Sequence, residues 1–197
     1  MFQRIRNWRY GRKFWKRGKG CLFLGKHLEI DGKVAVGKEC TFGGNLVLRT
    51  HKRGEIHIGN RVHFGDYVLI QCNDRIEIGD DCYVGAYCVL RDTNHLFHGT
   101  DIHWRLTPHI TKPIVLESGV YLAPRCYVMP GVRIGTGAAV APGSVITRDV
   151  GAYEIWAGNP AVFVANRRGE VAKNTLRRHL ELAHFFGVPL PTDNPSQ

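Results

Sequence analysis

The chain has 197 residues, 44% of them hydrophobic, and a formal net charge of +10; this size suits one compact domain with at most a small appendage. No apolar run approaches the roughly 18 to 20 residues that a membrane span requires. Eight Lys or Arg and no acid fall within residues 1–20, leaving 19 basic against 17 acidic residues in the rest. The body therefore carries no large basic surface, and nucleic acid is not expected as a partner.

The opening segment, MFQRIRNWRYGRKFWKRGKG, lacks the apolar stretch of a secretory signal, so a cytoplasmic location is expected. Phe2, Ile5 and Trp8 would share one side of a helix among arginines, and Phe14 and Trp15 follow Gly11. Two uses fit residues 1–20: peripheral contact with the anionic inner face of the cytoplasmic membrane, or a basic cap on the element that follows.

From residue 21 onward the chain repeats. Apolar residues step by six through Leu24, Ile30, Val36, Phe42 and Leu48, then Ile58, Phe64 and Ile70, then Ile78, Val84 and Leu90. After an interruption they run on through Leu116, Leu122, Val128, Ile134, Val140 and Ile146. A second phase expected to be buried lies four residues after each, among them Leu28, Val34, Val62, Val68, Val120, Val132, Ala138 and Ser144. Cys40, Cys82, Cys88 and Cys126 share that phase, where a small buried side chain suffices, so they read as packing residues in a reducing compartment.

A six-residue period fits neither a 3.6-residue helix nor a hairpin meander. It fits a parallel β-helix in which three hexapeptides make one coil and each strand stacks on the next coil at about 4.8 Å. The glycine that often follows the large residue is expected at a crowded corner with backbone angles unfavourable to a side chain.

The interruption is residues 91–113. His95 stands where the coil should turn, and Leu116 restores the phase. A solenoid cannot bury such a segment, so it projects as a loop, which is where chemistry on a rigid scaffold is usually placed. Beyond the last coil, Leu176, Leu180 and Ala183 have helical spacing, giving a terminal helix and tail over 166–197.

Three stretches together resemble the hexapeptide-repeat acyltransferases, closest to the sugar O-acetyltransferases of bacterial polysaccharide biosynthesis: DTNHLFHG, KPIVLESGVYLAPRCYVMPGVRIGTGAAVAPGSVITRDV and YEIWAGNPAVFV. The resemblance covers about residues 24–155. It implies a left-handed parallel β-helix over 21–165, a homotrimer, and acetyl-CoA as co-substrate with no metal. A saccharide, lipid-linked in one reading, is the implied acceptor.

The same resemblance assigns the general base to His95. A sugar hydroxyl is far too weak an acid to attack a thioester unaided, and an imidazole with a pKa near 6.5 can take its proton and return it to the departing thiolate. Asn73, Asp92, Asn94 and His98 are candidates to bind the acceptor or orient the ring, although polar residues at a loop entry are also ordinary turn formers. Tyr121, Ala123, Ala141 and Pro142 match positions along the pantetheine arm, and Thr147 and Arg148 match its far end. Val162 stands where the family commonly has Lys or Arg, so phosphate binding either shifts to Arg167 and Arg168 or is weakened. Trp156 either stacks on adenine or caps the last coil.

Among acceptors, a saccharide hydroxyl leads and the amine of an amino sugar or nucleotide-linked amino sugar follows. Two other readings share the prism: a zinc hydratase, for which His57 and His63 fall on different faces, and a non-catalytic scaffold.

Overall fold

In the computed structural model, residues 8–51, 53–96 and 103–168 are described. The expected terminal helix, His98, and Phe2 and Ile5 of the arm lie outside them. The described chain is an all-β, left-handed parallel β-helix whose coils supply one strand to each of three sheets of six, eight and six strands.

The register accounts for the repeat. Val36, Ile58, Ile78, Leu116 and Ile134 stack along the first sheet. Phe23, Phe42, Phe64, Val84, Leu122 and Val140 stack along the second. Ile30, Leu48, Ile70, Leu90, Val128 and Ile146 stack along the third. Nearly all of these side chains are buried in one continuous core, as are the residues of the second phase. The phenyl rings of Phe23, Phe42 and Phe64 stack successively with centroids 5.0 and 5.3 Å apart.

Two expectations need correction. Leu24 is 53% exposed and its neighbour Phe23, at 1%, fills the core, because the first coil is longer by one residue between Phe23 and Ile30. The glycine after the large residue serves close approach rather than unusual angles: a Cβ on Gly65 would lie 2.5 Å from the backbone nitrogen of Ala86 in the next coil. The left-handed angles come two residues later, at Glu39, Asn45, Arg61, Tyr67, Asp81 and Tyr87 before the loop and mostly at glycines after it.

The ends are closed by aromatic residues. Phe14 is buried against Phe23 and Phe42, and Lys16–Arg17 pairs with the strand Lys33–Val36, so the described part of the arm caps the first coil. At the other end Glu154–Gly158 adds to the second sheet, and Ala161–Asn166 folds back antiparallel to it. Among the described residues no helix is long and apolar enough to cross a membrane.

Candidate active site

Three departures from the repeat occur at the same edge of the prism, between the third sheet and the first. Strand Val47–Thr50 is followed by Glu55–Ile58 after a short insertion, Leu69–Cys72 by Arg75–Ile78 across a tight corner, and Val89–Arg91 by the long loop. The loop leaves as an antiparallel hairpin, Thr93–His95 against His109–Thr111, before the chain rejoins the first sheet at Ile114–Leu116. β-branched residues hold its base: the hydroxyls of Thr93 and Thr111 lie 2.8 Å apart, and the Lys112 amide donates to the Asp92 carbonyl at 2.9 Å.

Asp92 faces inward. Its carboxylate is fully buried and accepts from the backbone N–H of Asn73 at 2.9 Å and of Asp74 at 2.8 Å, with the Cys72 thiol at 3.4 Å. It binds the corner one coil earlier and so fixes Asn73, and its carboxylate is committed there rather than to the imidazole of His95. Burial, and then the charge of Asp92, push the Cys72 thiol well above its ordinary range.

His95 is held at both ring nitrogens. Nδ1 lies 3.3 Å from the hydroxyl of the buried Thr107, and Nε2 lies 3.1 Å from Nε2 of His109, its partner in the hairpin register. The two rings meet edge to face at 4.2 Å. A hydrogen bond between two Nε2 atoms needs one proton and one lone pair, so one ring presents an accepting nitrogen to the other. Asn94 spends its side-chain oxygen on the backbone N–H of His95 at 2.9 Å, which holds the strand and leaves the ring to Thr107 and His109.

Two cavities meet at this histidine. One, of about 400 Å³, is polar and lined by His51, Gln71, Asn73, Arg91 and Thr93 together with Asn94, His95 and His109. The other, of about 250 Å³, has Ile110, Lys112, Met129, Pro130 and Thr147, again with Asn94 and His95. Asn94 and His95 are thus the wall common to both. A larger groove of about 650 Å³ runs along the outward face of the first sheet by His57, Glu77, Glu117 and Arg133, away from the loop histidines.

Residues 113–148, the uninterrupted coils after the loop, match the bacterial transferase hexapeptide family, six repeats. Those residues carry the hexapeptide repeat of bacterial transferases. Among its relatives, a probable acetyltransferase of Mycobacterium tuberculosis is 26% identical over 155 residues, 76% of this chain and 51% of that protein, so the chain spans about half of that relative's length. A putative lipopolysaccharide biosynthesis O-acetyl transferase of Escherichia coli is 28% identical over 147 residues, 70% of this chain and 74% of the relative.

Solved structures share the fold. A variant of AntD, an N-acyltransferase of Bacillus cereus in complex with dTDP and coenzyme A, superposes with a TM-score of 0.68 at 18% identity, over 91% of this chain and 95% of that one. A hexapeptide-repeat acetyltransferase of Vibrio cholerae complexed with acetyl coenzyme A gives 0.52 at 24% identity, over 75% and 72%.

On the hexapeptide-repeat prism the remaining candidates fall elsewhere. Asn73, Asn94, His95 and Thr147 line the two cavities, whereas Tyr121, Ala123, Ala141 and Pro142 line neither. Tyr121 opens a strand of the second sheet, exposed and stacked on Tyr83 at 4.9 Å. Ala123, Ala141 and Pro142 mark the corner that follows.

Arg148 lies 5.8 Å over the ring of Trp156. Arg167 donates to the Gly137 carbonyl at 2.6 Å and Arg168 packs 3.4 Å over Tyr153, so both arginines tie the fold-back to the last coils. Trp156 is buried, with its indole N–H on Glu154 at 2.8 Å, which is the capping arrangement.

Sequence reasoning did not single out His51, Gln71, Arg91 or the pairing of His109. His51 belongs to the insertion at the same edge, and that recurrence was a usable signal. The His95–His109 register depends on the hairpin and had none.

Among the described residues of the single chain no three His, Cys, Asp or Glu side chains are grouped to hold a metal ion.

Proposed function

We propose that the protein is an acetyltransferase that moves the acetyl group of acetyl-CoA to a hydroxyl of a saccharide, with His95 as general base. The observation that carries this reading is the position of His95 between two cavities: a polar one suited to a sugar, and one with Ile110, Met129 and Pro130 suited to the thioester end of an acyl carrier. The relatives' names point the same way.

In this mechanism an entering hydroxyl takes the place of His109 at Nε2 of His95. His95 accepts the hydroxyl proton as the oxygen attacks the thioester carbonyl, and the C–S bond breaks as the tetrahedral adduct collapses. The proton passes from the imidazolium to the coenzyme A thiolate, so atoms and charge balance without a covalent acyl-enzyme. Thr107 at Nδ1 keeps the ring in one orientation throughout. The candidates on the second sheet, Tyr121, Ala123, Ala141 and Pro142, serve the pantetheine arm in a homotrimer, where that edge of one subunit meets the loop edge of the next.

Acetylation of an amine is the second reading, favoured by a tetrahydropyridine-dicarboxylate N-acetyltransferase of Staphylococcus aureus that is 32% identical over 83 residues, though over only 30% of that enzyme.

The test is thiol release from acetyl-CoA with a panel of saccharide and amino-sugar acceptors, the product identified by mass. Acceptor-dependent turnover that falls by roughly 10²- to 10⁴-fold in His95→Ala supports the proposal. Turnover insensitive to that substitution refutes the base, and an N-acetylated product selects the second reading.

A further inference from the structure

The larger of the two cavities beside His95 holds one permanent positive charge and no negative one. Its lining contains the guanidinium of Arg91 and the imidazoles of His51, His95 and His109, but no carboxylate. The nearest acid in sequence, Asp92, is fully buried and committed to the amides of Asn73 and Asp74.

Arg91 differs from those arginines of the coils that meet an acid. Arg49 pairs with Glu29, Arg61 with Asp81 and Arg133 with Glu117. Arg49, Gln71 and Arg91 follow one another along one ladder of the third sheet, yet only Arg49 meets an acid. Among the described residues Arg91 has no ionic partner, although it is exposed and ends a rigid strand. A guanidinium is a planar fork of donors that matches a carboxylate or phosphate in bidentate fashion. Beside it, Gln71 and Asn73 supply neutral amides of the kind that bind hydroxyls.

We infer that the acceptor is an anionic saccharide, a sugar bearing a carboxylate or a phosphate group that Arg91 binds while a neutral hydroxyl is presented to His95. This rests on the reading of that cavity as the acceptor site. The group bound is an oxyacid anion in either case, and its source is an acidic sugar or a sugar phosphate.

The experiment measures binding to the full chain of glucose, glucuronate and glucose 1-phosphate by calorimetry, at low salt and at 0.3 M salt, for wild type, Arg91→Gln and Arg91→Lys. Expected is at least about tenfold tighter binding of one charged ligand than of glucose, weakened by salt, kept in part by Arg91→Lys and reduced to within about twofold by Arg91→Gln. Whether glucuronate or glucose 1-phosphate leads identifies the source of the anion. Equal binding of the three ligands overturns the inference, and so does a charge preference that survives Arg91→Gln. Failure of the acetyl-transfer reading is separate: charge-selective binding that depends on Arg91, with no thiol release from acetyl-CoA on any hydroxyl or amine acceptor, removes the enzyme and leaves the anion site.

Discussion

The coils before the loop and those after it solve the same packing problem differently. After the loop the repeat runs without insertion, most left-handed corners are glycines such as Gly119, Gly131, Gly137 and Gly143, and the family match falls there. Before the loop the corners are occupied by Glu39, Asn45, Arg61, Tyr67, Asp81 and Tyr87 at positive φ, and the chain departs from the hexad at one edge in successive coils. That edge gathers His51, Asn73 and His95. A regular solenoid presents the same surface in every coil and so makes no unique site; repeating the irregularity at one edge does.

The contrast can be broken most strongly at Asp92. Removing its carboxylate in Asp92→Ala leaves the amides of Asn73 and Asp74 unpaired beside the core, at a cost of about 1–3 kcal/mol. It also frees Asn73, so a rise in acceptor KM should accompany the lower unfolding midpoint. A variant with the stability loss but an unchanged KM would show that this corner serves packing alone.

On the regular side, Gly143→Ala isolates the backbone. Gly143 has φ of 71°, and a Cβ there meets nothing within 4 Å. The substitution should cost about 1 kcal/mol through left-handed strain alone, read by denaturant unfolding with activity retained. A loss of several kcal/mol would mean that the corner also needs space.

The smallest effect concerns Glu117, whose carboxyl is held below its ordinary range by the Thr136 hydroxyl and backbone N–H, and then by Arg133. A depressed folded pKa stabilises above the unfolded value, near 4.3, and that contribution is lost as pH falls through the folded value. Wild type should therefore lose more stability than Glu117→Gln between about pH 5 and pH 3. Parallel acid profiles would count against the linkage.

Much of the fold was legible because the hexad is a burial pattern, and burial decides the register from Phe42 onward. It failed at Leu24 because Cys21, Leu22, Phe23 and Leu24 form an unbroken apolar run, and periodicity cannot choose a phase inside one. His95 was legible as a break in phase. Arg91, His51 and His109 were not, since each gains meaning from a neighbour in the next coil or across the hairpin, and such pairings are set by three-dimensional register. Asp92 misled because a carboxylate next to a loop resembles a ligand, and only its burial shows that it is a bracket for the backbone.

The six cysteines are all free and all buried, from Cys21 in the first coil to Cys126 beyond the loop. Because they are spread over successive coils, with Cys82 and Cys88 sharing one, the protein carries a set of chemical time stamps along its axis. As coils peel apart, the order in which the thiols become open to an alkylating reagent records the order in which the solenoid unwinds, with no label added.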